Sequence, residues 1–296
     1  MLAFDYTLDP FEVLFKPINR QPGSLREEVN TTVQLIAKST TAPLAVALSG
    51  GIDSEVICRS LLEQEIDFVV FVMQFNDKYN DQDIEWAFKF CTQHRIDPIV
   101  LNVDILNFME QGTKPYIDQG YKSHEVFRYL QLWLMEQAEQ QGYSLIMGGR
   151  EEGISRYKRQ PVIKYDPGHM MTHEWNKSHG NRHYPGFYEI TPELMAAYLD
   201  SPVLKLICQD VNYFVTTPFG VSPEKILEFQ RAWPEMQRRA KMNGFERLHP
   251  IKNEYQNQLI LHMPAPTLHI PVVQIRQQLG LVDLSEIPTK IISLDN

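Results

Sequence analysis

Six consecutive residues, Ser49-Gly50-Gly51-Ile52-Asp53-Ser54, combine the types that hold a phosphate group. Glycine lets the backbone turn tightly and approach a ligand with no Cβ in the way. Serine hydroxyls donate, and the Asp53 carboxylate can hold a Mg²⁺ that bridges phosphate oxygens. Leu44 to Leu48, just before, is apolar and strand-like. Just after, Val56, Ile57, Leu61 and Leu62 recur at helical spacing, with Ser54 placed as N-cap. A strand, a Gly-Gly turn and a helix start offer unpaired N–H groups and the positive end of the helix dipole, which favour an anion. A lone Gly-Gly turn would serve equally as a tight connection. No Gly-Lys-Ser/Thr follows a four-residue spacer, so the loop is not of the Walker A type.

The full string Ser-Gly-Gly-x-Asp-Ser after a buried strand resembles the PP-loop of the ATP pyrophosphatases, the superfamily of asparagine synthetase, GMP synthetase, NAD synthetase and the tRNA thiolation enzymes. The resemblance implies ATP and Mg²⁺ as cofactors, with Ser49, Gly50, Gly51 and Ser54 on the pyrophosphate and Asp53 on the metal. It also puts the adenine between the ends of the first two strands, Ala47 and Leu48 on one side, Met73 and Phe75 on the other. Core packing accounts for Met73 and Phe75 equally well. Gly148-Gly149 is the next glycine turn after a strand, and Glu151 and Glu152 stand where the superfamily carries acidic residues for Mg²⁺ and pyrophosphate. That match is loose, and a solvated charged turn is the alternative. Arg150, Arg156, Lys158, Arg159 and Lys164 follow closely. Stabilising a leaving pyrophosphate needs a positive clamp, which singles out Lys158 and Arg159 as catalytic candidates beside Asp53. A solvated basic face is the alternative, and Arg128 reads as an ordinary surface arginine.

These residues need a scaffold, and the pattern describes one. Residues 1–43 form a lead-in segment with an amphipathic helix at Ser24–Lys38, capped by Ser24 with Glu27 at the box position. Residues 44–160 alternate strand and helix: Phe68–Phe75, Asp81–His94, Pro98–Val103, Ser123–Gln141 and Tyr143–Met147. This alternation predicts an α/β fold with a doubly wound, mainly parallel sheet. Ligands bind such sheets beyond the carboxyl ends of the strands, where Ser49, Gln74, Asp104 and Gly148 fall. Residues 161–296 read as a loop-rich, then helical specificity region. His169/His173 and His179/His183 are pairs spaced by four, but Pro167, Gly168, Gly180 and Pro185 argue against a helix there. A substrate lid over 161–190 is therefore expected in place of a metal site. The stretch QRRAKMNGFERLHPIK is locally basic and reads as a solvated helix face.

Composition narrows the class. With 296 residues and 43% hydrophobic content the chain can bury a large core. No run approaches the roughly 18 apolar residues that span a bilayer. The first residues lack a basic stretch followed by an apolar core, so a cytoplasmic location is expected. A net charge of −9 counts against nucleic acid as the main partner. Cys58, Cys91 and Cys208 form no Cys-x-x-Cys and read as small buried thiols. No Cys precedes Cys58, so a glutaminase built on an N-terminal Cys is not expected. The activity implied is an ATP-dependent synthetase that adenylates a carbonyl or carboxylate, with attack by ammonia or an amine supplied free, on a substrate or by another chain. The acceptor would be a small molecule or peptide, and a homo-oligomer is compatible. Sulfur transfer and a non-catalytic adenine-nucleotide module are the alternatives.

Overall fold

The computed structural model describes residues 2–8, 10–123, 125–148, 155–157, 160–165, 167–200, 229–237, 246–260 and 268–281. In chain order the strands are β1 (Phe4–Leu8), β2 (Phe11–Phe15), β3 (Leu44–Ala47), β4 (Phe68–Phe75), β5 (Ile99–Val103), β6 (Ser144–Met147), β7 (Ser155–Tyr157), β8 (Gln160–Tyr165), β9 (Tyr184–Pro185) and β10 (Leu268–Pro271). The helices are α1 (Leu25–Ser39), α2 (Ile52–Glu63), α3 (Asp81–His94), α4 (Ile105–Asn107), α5 (Lys114–Asp118), α6 (Val126–Gln140), α7 (Pro167–Ser178), α8 (Pro192–Leu199), α9 (His249–Ile260) and α10 (Val272–Leu279).

The apolar runs meet in one parallel five-stranded sheet of order β5-β4-β3-β6-β9. Successive side chains leave a strand on opposite faces. Val46, Val70, Val72 and Ile146 pack on one side with Val29, Val33 and Ile36 of α1, Val56, Ile57 and Leu61 of α2, and Ile84 and Ala87 of α3. Ala45, Phe71, Leu145 and Met147 pack on the other with Tyr129, Leu130, Leu134 and Met135 of α6. Helices thus cover both faces, as the apolar runs require. At ~25 cal/mol per Å², a side chain as large as Phe71, 1% exposed, contributes on the order of 2–3 kcal/mol.

The caps show how local chemistry sets the boundaries. Ser24 caps α1 with both halves of a capping box: Glu27 N donates to Ser24 Oγ, and Ser24 N donates to Glu27 Oε2 at 2.7 Å. The long helix α6 starts at Val126, three residues later than Ser123 implies. Ser123 Oγ instead accepts from Glu125 N at 3.1 Å, and Ser123 N donates to the Tyr129 hydroxyl at 2.8 Å, so this serine shapes the approach to the helix.

Three further features depart from expectation. The lead-in segment carries a hairpin, β1–β2, whose Phe4 and Phe15 rings meet Tyr165 edge-on at 5.4 and 5.9 Å. Residues 161–190 are ordered as β8, α7 and β9: Pro167 opens α7 at its first helical position, where a missing N–H costs nothing. Leu268–Pro271 is a strand in a region read as helical, and it pairs with β8 in an antiparallel sheet of order β10-β8-β7. Among the described residues no helix is long and apolar enough to cross a membrane.

His183 joins α7 to the main sheet. Its Nδ1 accepts from Leu145 N of β6 at 3.1 Å, and burial lowers its pKa from 6.5 to about 4. The folded chain therefore keeps this ring neutral while the unfolded chain protonates it near 6.5. Its contribution is full above pH 6.5 and is lost as pH falls toward 4, up to about 3 kcal/mol. His183→Gln keeps an acceptor but not the titration. Chemical denaturation at pH 7 and pH 5 is expected to show a smaller acid loss of stability in this variant than in the parent chain.

Candidate active site

Strand β3 lies where the order of the sheet reverses, with β4 and β5 on one side and β6 and β9 on the other. The crevice beyond its carboxyl end is the ligand position of such sheets. Leu48 extends the ladder by one bond, its N–H donating to Phe71 O at 2.9 Å, and then the chain turns. Gly50 adopts φ +82°, and a Cβ there would stand 1.8 Å from the Asp83 carbonyl oxygen at the start of α3. Only glycine lets the loop lie this close to α3.

The serines hold the turn. Ser54 Oγ donates to Gly51 O at 3.0 Å and accepts from Ser49 N at 3.3 Å, and the two hydroxyls lie 3.2 Å apart. Gly51 N donates to Ser49 Oγ at 3.3 Å. Ser54 is not the N-cap: α2 begins at Ile52 with Gly51 in the cap position, because the Ser54 hydroxyl is engaged with the loop behind it. Ser49 is exposed at the mouth of the turn. Asp53 and Glu55 lie in the first turn of α2, and the Asp53 carbonyl receives the Tyr188 hydroxyl at 3.4 Å. Burial pushes the pKa of that hydroxyl well up, so it remains a donor.

Gly148, directly after β6, closes the crevice from the other side. A Cβ on it would lie 3.4 Å from Ser54 N and 3.5 Å from Asp53 Cβ. Gly148 thus faces the Ser49–Ser54 loop across the N-terminus of α2. This groove suits an anion: a side chain on Gly148 would fill it, a twelve-residue helix points its start into it, and a hydroxyl and a carboxylate flank it.

For the remaining candidates the placement is as follows. Leu48 is 1% exposed in the first core and Phe75 is 4% exposed in the second, whereas Ala47 and Met73 are half-buried at the rim. Gly149, Arg150, Glu151, Glu152, Lys158 and Arg159 lie outside the described residues, and of Arg156 only the backbone of β7 is described. Arg128 is not a surface residue; it is 1% exposed on α6. Gln74 lines a separate cavity of about 750 Å³ with Asp81, Gln82 and Phe88, which no loop residue borders.

Two asparagines not singled out in the sequence hold the strand ends. Asn80 Oδ1 accepts from Phe75 N at 2.8 Å and its Nδ2 donates to Met73 O at 2.9 Å. Asn76 Oδ1 accepts from Ile105 N at 3.1 Å and its Nδ2 donates to Asp104 Oδ1 at 3.3 Å, tying β4 to β5. Between them Asp77 and Lys78 have φ of 52° and 58°, at a cost of roughly 1–2 kcal/mol each. The signal was the Asn-Asp-Lys-Tyr-Asn string straight after a strand, since asparagine bonds nearby backbone.

The structure is an α/β domain with its glycine-serine loop at the reversal point of the parallel sheet. Residues 24–150 match the family described as asparagine synthase. This segment, less than half of the chain, carries the Ser49–Ser54 loop and is what the chain has in common with that family. No curated protein matches. Among solved structures, NMN synthetase from Francisella tularensis is 17% identical, covering 80% of this chain and 94% of that one, at a TM-score of 0.37. The NH3-dependent NAD synthetase from Campylobacter jejuni subsp. jejuni is 13% identical, covering 73% and 97%, at 0.34. Likeness at this level is too slight to assign an activity.

The loop geometry makes the two glycines unequal. Gly50→Ala meets a backbone carbonyl at positive φ and is expected to lower Tm by ~6–10 °C, about 3 kcal/mol. Gly51→Ala meets nothing closer than Ser49 Oγ at 3.3 Å and should stay within ~2 °C of the parent. Calorimetry of the two variants checks the contrast.

Proposed function

We propose that the chain is an ATP-dependent synthetase that cleaves ATP between the α- and β-phosphates. A carbonyl or carboxylate oxygen of the acceptor attacks the α-phosphorus, the bond from that phosphorus to the bridging oxygen breaks, and pyrophosphate leaves. Ammonia or an amine then attacks the adenylated carbon and AMP departs. The observation that carries the reading is the crevice at the reversal point of the sheet, with the Ser49–Ser54 turn on one wall and Gly148 on the other.

In this reading the start of α2, the Ser49 hydroxyl and the Gly51 backbone bind the pyrophosphate oxygens, and Ser54 keeps the turn in shape. Asp53, in the first turn of α2, is proposed to hold Mg²⁺, with Glu151 and Glu152 as further proposed ligands. Bound Mg²⁺ would offset charge on the phosphate oxygens. Lys158 and Arg159 are proposed to receive negative charge on the leaving pyrophosphate. Ala47 and Met73, partly buried at the strand ends, offer the apolar rim on which an adenine would rest, and Leu48 and Phe75 beside them in the chain are buried in the two cores. Preorganised donors of this kind need no rearrangement as charge develops.

Sulfur transfer is the lesser reading. Cys58 and Cys91 are buried; burial pushes Cys91 to about 11 and Cys58 well above its usual value, so neither offers a thiolate at neutral pH.

Incubation of the chain with α-labelled ATP, Mg²⁺ and a panel of carboxylates with ammonia is expected to yield AMP and pyrophosphate. ADP and phosphate would overturn the reading. Asp53→Asn should slow pyrophosphate release by roughly 100-fold or more, while Tm stays within ~2 °C.

A further inference from the structure

The first histidine pair acquires a partner that spacing could not reveal. Because Pro167 begins α7, the i,i+4 spacing of His169 and His173 places both rings on one helix face. Both aim Nε2 at Glu189, which arrives on the turn after β9. His169 Nε2 lies 3.2 and 3.0 Å from its two carboxylate oxygens, and His173 Nε2 lies 3.5 Å from Oε2. The three groups are buried, with one ligand atom from each lying within 4.8 Å of the others. Burial alone would raise the pKa of Glu189, but the His169 and His173 imidazoles outweigh it and hold the carboxyl well below its usual range. Gly186, at φ +100°, keeps the space open: a Cβ there would stand 2.9 Å from Glu189 Oε2 and 3.4 Å from His173 Cε1. His173 and Gly186 also line a cavity of about 380 Å³, which supplies an access path and room for a water or substrate group.

We propose that His169 Nε2, His173 Nε2 and the Glu189 carboxylate bind a divalent transition ion of the Zn²⁺ type, at a site distinct from the PP-loop and independent of what that loop does. Two imidazoles and one carboxylate are a borderline N/O set that suits Zn²⁺ and not Mg²⁺, which takes oxygen ligands. A tetrahedral Zn²⁺ with ~2.0–2.1 Å bonds sets its ligand atoms about 3.3 Å apart, close to the separations from both rings to the carboxylate. The Tyr165 hydroxyl donates to Glu189 Oε1 at 3.0 Å and leaves Oε2 for the ion.

Arg128 opposes the ion. Its Nη2 lies 3.0 Å from His169 Nδ1, so Nδ1 accepts and Nε2 carries the proton that faces Glu189. Binding at Nε2 needs the other tautomer: the Nε2 proton leaves and one is taken up at Nδ1, which becomes a donor, so the ring stays neutral with no net proton released. Arg128 must then turn aside, and Gln131 Oε1 on its own helix, 3.4 Å from Nη1, and Glu125 Oε2 at the cap of that helix, 3.7 Å from Nε, lie ready to receive it. Removing the guanidinium therefore tightens the site, a result that a purely hydrogen-bonded polar core would not give.

The test is titration of the chelator-stripped full chain with Zn²⁺, read by calorimetry, with 5 mM Mg²⁺ present throughout. One equivalent with Kd of about 1 µM or below is expected, weakened roughly 100-fold by His169→Gln or His173→Gln and tightened roughly 10-fold by Arg128→Met. Should a histidine variant fail to fold, Co²⁺ loading of the parent gives a second readout: strong visible absorption from a four- or five-coordinate site, without a thiolate charge-transfer band. No stoichiometric Zn²⁺ binding by the parent overturns the proposal, whether or not Arg128→Met binds. So does binding that folded histidine variants leave unchanged, or a weak octahedral Co²⁺ spectrum.

Discussion

The carbonyl of Asp83 occupies the space a side chain on residue 50 would need, and the rest of the crevice depends on that contact. It holds the turn after β3 against the first residues of α3, so two helix starts are referenced to one backbone position. From there α2 runs back along the sheet with ten successive residues buried, Ile52 to Leu61. A shift of Gly50 would have to move a helix packed on all sides. Interiors packed at crystal-like density resist such movement. The position of the loop is thus set by main-chain sterics, while its hydroxyls remain available for chemistry.

A similar economy governs the polar groups. The Ser49 and Ser54 hydroxyls satisfy each other and the nearby backbone, so the turn holds its own shape. The neighbouring turn that brings Tyr188 to Asp53 also brings Glu189 to the α7 histidines. One three-residue element therefore touches both polar centres. Its carboxylate is tolerated in the interior because imidazole and phenol donors surround it, as a buried charge requires.

Much of the scaffold was legible in the sequence because each feature there has a short-range cause. The run FVVFVMQF can only be a strand covered on both faces, and Ser24 with Glu27 marks a helix start within four residues. The strand, turn and helix around the loop were legible too, apart from the placing of Ser54, whose hydroxyl faces backward into the turn in place of capping α2. What escaped depends on contacts distant in the chain. Arg128 looked like a surface residue until α7 packed over it. Pro167 looked like a helix breaker, though at a first helical position it is compatible with one. The strand Leu268–Pro271 is defined by its partner β8, a hundred residues earlier, and four residues carry no period strong enough to announce it.

The β1–β2 hairpin has a consequence for the order in which the molecule assembles. Its Phe4 and Phe15 rings rest on Tyr165, Tyr6 bonds Glu174, and Ala3 N donates to Glu189 O, all more than 145 residues along the chain. Synthesis makes the hairpin first, yet every surface it packs against is made later. Closing contacts of such separation is slow, and an apolar ribbon exposed in the meantime invites wrong pairings. The two hairpin strands are consequently covered only once residues 165–189 have been made and folded.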